Sequence, residues 1–294
     1  MKEMKTLPVI FVHKTNSFFL KHVLEQARIF NPDSTIYLLG DETNDKFRKI
    51  GIEHYNIADF SEQAKEFSKL YKHQSSNTYD AELFCFQRWF ILRDFVTKKG
   101  ISNFLYLDSD VLLYCNIDTV FKEYLDVDFT IVDHCCPSTV LFKSESLNDF
   151  CNFVWNEFYT CIEKDNRNRE ISDMTAFELY QKYKIPKVRD LTLIENNACF
   201  DGNINIAGNF IEDKGLKKIY WIDEKPYAKL KENQQLILLY NLHFQGDVKR
   251  QMYNYRINFK HKHVAGIFYR LRSELSLDLV IRVFKRYLSK IAVK

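Results

Sequence analysis

The sequence predicts an α/β fold, a mixed and mainly parallel sheet flanked by helices, and three observations lead there. Short continuous apolar runs alternate with segments whose apolar residues recur at helical spacing, the strand–helix–strand rhythm of a parallel sheet. Hydrophobic residues make up 46% and charged residues 28%, which excludes a disordered, collagen-like or fibrous chain. Only 8 Gly and 5 Pro interrupt 294 residues, so long flexible linkers are not expected. At roughly 100–200 residues per domain, this length allows one large domain or two small ones.

Residues 8–12 (PVIFV) read as a buried first strand. They are too short for a signal-peptide core, although residues 1–6 are basic. Residues 17–30 carry Phe19, Leu20, Val23, Leu24, Ala27 and Phe30 at helical spacing, and Asn31-Pro32 ends them. Residues 35–39 form a second strand closed by Gly40-Asp41, residues 46–50 look helical, and 54–57 form a third strand. Residues 60–80 are polar and mixed. Residues 81–97 read as a strongly amphipathic helix, with Leu83, Phe84, Trp89, Phe90, Leu92 and Phe95 among charged positions. Residues 103–107 (NFLYL) are a central strand, and 128–132 and 138–142 are further strands. Residues 146–161 and 175–183 are helical, and 217–222 and 236–242 are late apolar runs. No apolar run approaches 18 residues, so no membrane span is expected. The organisation is one α/β domain over residues 1–250 and a basic, amphipathic helical tail over 251–294.

The seven cysteines are odd in number and form no CxxC pair, which argues against a disulfide framework or a zinc site. A reducing, cytoplasmic setting follows as the expectation. Net charge is only +3, but it is unevenly placed. Residues 249–294 hold 12 Lys/Arg against 2 Asp/Glu, so the preceding 248 residues carry −7. A basic end of this kind meets something anionic.

The sharpest local feature is residues 105–112 (LYLDSDVL), where an apolar strand delivers Asp108 and Asp110 to its C-terminal end. Ligands of open α/β sheets bind outside those ends. Two carboxylates one residue apart can share a hard cation such as Mn²⁺ or Mg²⁺, which bridges protein to substrate phosphates. The plainer alternative is that both aspartates solvate a strand end. A second signal is His243-Phe-Gln-Gly246-Asp-Val-Lys249, at the end of the 236–242 run. Neutral imidazole is a good third ligand beside two carboxylates. Gly246 permits close backbone approach to a phosphate, and Lys249 can neutralise a diphosphate as a point charge. A buried structural histidine and a surface lysine are the bland counterparts.

An apolar strand ending in Asp108-Ser109-Asp110, followed about 130 residues later by HxxGxxK, resembles retaining glycosyltransferases of the Rossmann-like GT-A fold. It looks most like family 8, which includes glycogenin and bacterial lipopolysaccharide galactosyl- and glucosyltransferases. The resemblance covers about residues 7–250. It implies transfer of a hexose from a UDP-sugar to a saccharide or lipid-linked saccharide, with retention, in lipopolysaccharide or capsule synthesis. It implies that Asp108, Asp110 and His243 hold the metal. Val12, His13 and Asn16 would line the nucleotide base. Arg88, Asp108, Ser109, Ser138, Gly246 and Lys249 would meet the nucleotide-sugar, and Asp173 and Lys249 would act in catalysis. Departures exist. The family usually follows HxxGxxK with Pro-Trp where Arg250-Gln251 stand here, and its Asn-Ser-Gly-like strand is replaced by residues 136–140 (CPSTV). Asp173 also suits an ordinary helix N-terminal charge. Asp201 before Gly202 is expected to be a turn residue, with an acceptor-facing role as the alternative.

Within the tail, residues 275–293 repeat apolar side chains at helical spacing opposite Arg282, Lys285, Arg286 and Lys290. Residues 265–294 are therefore expected to contact an anionic membrane surface, peripherally on the inner face of the cell membrane; the alternative is a helix that packs its apolar side on the domain and solvates the rest. Nucleic-acid binding is not expected, since no recognition motif accompanies the charge. Two other functions compete: a haloacid-dehalogenase-type phosphohydrolase, whose Asp-x-Asp strand is similar, and a non-catalytic membrane-associated scaffold on the same fold.

Overall fold

The computed structural model describes residues 6–165 and 170–257. The expected helix at 275–293 and the membrane-contacting segment 265–294 lie outside the described residues.

Fifteen strands are present among the described residues: β1 Val9–His13, β2 Ile36–Gly40, β3 Glu53–Asn56, β4 Asn103–Leu107, β5 Val111–Leu113, β6 Phe129–Ile131, β7 Thr139–Lys143, β8 Val188–Asp190, β9 Ala198–Cys199, β10 Glu212–Asp213, β11 Leu216–Lys217, β12 Ile219–Ile222, β13 Lys225–Lys229, β14 Leu236–Leu239 and β15 Asn241–His243. The helices are α1 Leu20–Phe30, α2 Glu62–Phe67, α3 Tyr79–Lys99, α4 Ile117–Val120, α5 Ser144–Asn156, α6 Phe158–Asp165, α7 Asp173–Lys184 and α8 Met252–Tyr255.

A seven-stranded sheet in the order β3-β2-β1-β4-β7-β6-β8 forms the centre. β3, β2, β1 and β4 run parallel, β7 is antiparallel to both β4 and β6, and β6 is parallel to β8. The fold is thus the expected mixed, mainly parallel sheet flanked by helices. Strand alternation divides its side chains between two cores. Val9, Phe11, Leu105 and Leu107 pack with α1 residues Leu20, Val23, Leu24 and Ala27 on one face. Ile10, Val12, Phe104 and Tyr106 pack with α3, α5 and α7 on the other.

Most elements fall within a few residues of the sequence expectation, and β4 coincides with it. α3 differs in character, since it is buried on several sides, including Glu82 and Arg93. The physical reason is that α2, α5 and α7 pack around it as well as the sheet. Arg93 tolerates burial by binding Asp94 and Gln63. The helical stretch expected over 146–161 is two helices, broken at Glu157. The mixed region 60–80 contains the short α2. Four buried cysteines, Cys115, Cys151, Cys161 and Cys199, behave as small apolar side chains.

A second sheet, β12-β13-β14-β9, and the pair β15-β5 follow the main sheet. Met252 and Ile257 are buried against the first core, and Tyr114 donates its hydroxyl to the Tyr255 carbonyl at 2.7 Å. No helix among the described residues is long and apolar enough to cross a membrane.

Candidate active site

The site forms where β4 ends. Asp108 donates its N–H to the Ser138 carbonyl of the neighbouring strand segment at 2.8 Å, and Val111 donates its N–H to the Asp108 carbonyl at 3.1 Å. This tight turn carries the chain from β4 into β5. β5 then pairs antiparallel with β15, in a register that sets His243 opposite Val111. Phe244 donates its N–H to the Asp110 carbonyl at 3.0 Å. A strand register therefore brings together groups separated by more than 130 residues.

Asp108, Asp110 and His243 each offer a ligand atom, and these atoms all lie within 4.8 Å of one another. His243 Nε2 stands 3.5 Å from an Asp110 oxygen, and its Nδ1 is 2.7 Å from the Gly202 carbonyl. A carbonyl only accepts, so Nδ1 carries a proton and Nε2 faces the carboxylates. That is the arrangement of a metal-ligating histidine, whose far nitrogen is fixed by a carbonyl or carboxylate. Two carboxylates and one imidazole fit Mn²⁺ or Mg²⁺ in donor type.

The two aspartates differ in their surroundings. Asp108 Oδ1 accepts from Arg88 Nη1 at 2.5 Å and from the Tyr106 hydroxyl at 2.6 Å. Burial pushes its carboxyl upward against the pull of Arg88. Asp110 is buried, yet His243 and Lys249 outweigh burial and hold its carboxyl down at about 2. Lys249 Nζ is 2.8 Å from Asp110 Oδ2. Burial would lower the His243 pKa, but Asp110 and Asp108 raise it to about 9.

Of the remaining expected residues, His13 and Ser138 contact this turn, whereas Val12 and Asn16 make their contacts elsewhere. His13, at the end of β1, faces the Ser109 hydroxyl at 2.8 Å through Nδ1 and the Ser17 hydroxyl at 2.9 Å through Nε2. Burial first and Lys249 second lower its pKa to about 4, so the ring is neutral. Val12 is buried beneath it in the core. Asn16 is exposed and accepts from Lys46. Gly246 has φ +73° with open space where a side chain would point, so its conformation is what glycine permits here. Ser138 is fully buried and bonds the Asp108 N–H through its carbonyl.

Arg88 lies between two acids, donating Nη2 to Asp173 Oδ2 at 2.6 Å as well as Nη1 to Asp108. Asp173 Oδ2 also accepts the Trp89 indole N–H at 3.0 Å. Asp173 is the first residue of α7, behind the N-cap Ser172, whose side chain accepts from the Thr175 N–H. It is buried, and it combines a helix-start position with a link through Arg88 to Asp108. Asp201 is buried and bound to Lys217.

Sequence reasoning did not single out Tyr106, Trp89, Ser17 or Lys217. Tyr106 was within reach of it: two residues before Asp108 on one strand, it shares the same face by period-two alternation. Trp89 and Lys217 gave no such signal, because their partners come from distant segments.

No family model matches the chain, and no curated protein matches it in sequence. Solved structures similar to it include glycosyltransferases and a CMP:2-keto-3-deoxy-manno-octonic acid synthetase. One is the crystal structure of the galactosyltransferase LgtC in complex with donor and acceptor sugar analogues, with TM-score 0.49, 9% identity, 88% of this chain and 100% of that one. Another is mouse xyloside xylosyltransferase 1 in its apo form, with TM-score 0.48, 10% identity, 67% of this chain and 87% of that one. The apo-form glycosyltransferase GlyE of Streptococcus pneumoniae TIGR4 has TM-score 0.44 and 19% identity over 68% of this chain, which spans 47% of GlyE.

Proposed function

We propose that this chain is a metal-dependent glycosyltransferase that moves a hexose from a UDP-sugar to a saccharide or lipid-linked saccharide. Retention of anomeric configuration and a place in cell-surface glycan synthesis complete the reading. The observation that carries it is the β5–β15 register, which sets His243 Nε2 beside the Asp108-Ser109-Asp110 turn at the C-terminal end of a central strand.

Asp108, Asp110 and His243 would hold Mn²⁺ or Mg²⁺. When bound, that cation supplies Lewis-acid stabilisation of the departing diphosphate. The chain's own residues do the rest. Lys249, about a third exposed beside Asp110, offers a second positive charge to an anionic leaving group. His13 fixes the Ser109 hydroxyl between the first strand and the acidic turn. Arg88 holds Asp108 and Asp173 together, which orients one face of the site.

Calorimetric titration of UDP with and without Mn²⁺, followed by a donor screen over UDP-glucose, UDP-galactose and their N-acetyl forms, tests the proposal. UDP binding should require the metal, and one donor should be turned over. In Asp110→Asn, turnover should fall on the order of 10²–10³-fold, with cooperative unfolding kept in EDTA. Wild-type turnover in that variant would remove the metal assignment. Phosphatase activity without UDP binding would favour the haloacid-dehalogenase-type alternative instead.

A further inference from the structure

Behind the candidate site is a buried ion pair that the proposed chemistry does not use. Asp201 and Lys217 are both buried, and the Lys217 ammonium binds Asp201 Oδ1 while lying 5.0 Å over the Phe210 ring. The other carboxylate oxygen, Oδ2, accepts the backbone N–H of His243 at 3.1 Å. The Asp201 N–H donates to Asn241 Oδ1 at 2.6 Å, and Asn241 Nδ2 donates to Thr139 Oγ1 at 3.1 Å. Ile204 donates its N–H to the His243 carbonyl at 3.0 Å, and Lys217 donates its N–H to the Ile204 carbonyl at 2.8 Å. Both backbone groups of His243 are therefore fixed by the 201–204 segment. The residue after Asp201 is Gly202, whose carbonyl receives the His243 ring N–H.

Burying an ammonium and a carboxylate has a large desolvation cost, and an apolar pair of similar volume often packs as well or better. What an apolar pair cannot supply is an acceptor for the His243 N–H together with a fixed direction for the Gly202 carbonyl. We infer that Asp201, held by Lys217, is a positioning residue that sets the orientation of the His243 imidazole toward Asp110. This inference rests on the metal-site reading above. Partners that orient metal-ligating histidines typically change metal affinity by 10–100-fold when removed.

The test compares two double variants, neither of which leaves an unpaired buried charge. Asp201→Asn/Lys217→Met keeps an amide oxygen for the His243 N–H and should bind Mn²⁺ within about threefold of wild type by electron paramagnetic resonance titration. Asp201→Leu/Lys217→Met removes the acceptor and should weaken Mn²⁺ by about 10–100-fold, while still unfolding cooperatively in EDTA. Placed in a His243→Ala background, the same change should have no further effect on Mn²⁺. Should the leucine variant not fold, Asp201→Ala/Lys217→Met serves: it too removes the acceptor without leaving a buried ammonium unpaired, so Mn²⁺ affinity should again fall. Equal Mn²⁺ affinity in the leucine and asparagine double variants, with wild type binding, overturns this inference and leaves the metal site standing. An equal loss in the His243→Ala background also overturns it. Absence of Mn²⁺ binding in wild type overturns both.

Discussion

The two flanks of the candidate site handle the same kind of charge in opposite ways. On the Asp108 flank, negative charge is neutralised from within: Arg88 bridges Asp108 and Asp173, with Tyr106 and Trp89 filling further acceptor positions. Burial opposes the charge on Arg88, but Asp108, Tyr106 and Asp173 hold its pKa well above the usual arginine value. On the Asp110 flank the partners are groups that can leave: His243, which can lose a proton, and Lys249, whose long side chain is 34% exposed. One motif therefore has a permanent counter-cation on one aspartate and exchangeable ones on the other. The lesson is that the Asp108 flank is built for position and the Asp110 flank for exchange.

Breaking the permanent flank should produce the largest change in stability. Arg88→Ala leaves buried Asp173 and half-buried Asp108 without their cation, and removal of one partner from a buried pair costs about 3–5 kcal/mol. Urea midpoints report it. Adding Asp173→Asn to Arg88→Ala should recover part of the loss, because one of the two stranded charges disappears. Asp173→Asn alone should cost less than Arg88→Ala, since Arg88 keeps Asp108. A urea midpoint of Arg88→Ala equal to that of wild type would show that the bridge is not what holds this flank.

The same contrast explains what the sequence made legible. β4 and its acidic turn were readable because an apolar run of five residues and two carboxylates lie together in the chain. His243 was readable because it terminates an apolar run at the second end of the pairing. The metal candidate could be named from two local signals, but the register of β5 on β15 that joins them is a tertiary fact. Arg88 was expected to face the nucleotide, and its observed bridge between Asp108 and Asp173 depends on how α3 and α7 meet, a packing no local pattern encodes. Asp201 before a glycine looks like a surface turn, and only the approach of Lys217 from β11 turns it into a buried pair. The short strands β8 to β10 were missed for a related reason. With two or three residues each, they owe their shape to their neighbours and leave little periodicity to detect.

The exchangeable flank should respond to pH. In the metal-free protein the His243 pKa is raised from 6.5 to about 9 in the fold, so its contribution to stability is full below pH 6.5 and is lost as pH rises through 9. The Asp110 pKa is lowered from 3.8 to about 2, so its contribution is full above pH 3.8 and is lost as pH falls through 2. Both shifts report one contact, counted once, and the expected loss between pH 6.5 and 9 is on the order of 1–3 kcal/mol. On the proposed metal site, Mn²⁺ would displace the His243 proton in that range. Its affinity should therefore rise about tenfold per pH unit toward pH 9 and level off above it. Calorimetry in buffers of different ionisation enthalpy counts the released proton. A flat affinity from pH 6.5 to 9 would separate His243 from the cation.

The smallest effect sharpens the contrast most. Lys249 binds Asp110 Oδ2 and His243 Nε2 faces Oδ1, so Lys249 and a cation beside His243 would compete for the charge of one carboxylate. A partly exposed lysine–carboxylate contact contributes about 0–1 kcal/mol. Lys249→Met should therefore tighten Mn²⁺ by no more than about fivefold, while turnover of the donor falls, because the charge beside the leaving diphosphate is gone. The opposite signs are the diagnostic feature, since general damage to the site would weaken metal and turnover together. Manganese titration by electron paramagnetic resonance, paired with steady-state kinetics at saturating Mn²⁺, reads both. Weaker metal binding in Lys249→Met would mean that the ammonium supports the cluster, and Asp110 would then belong with Asp108 as a permanently compensated acid.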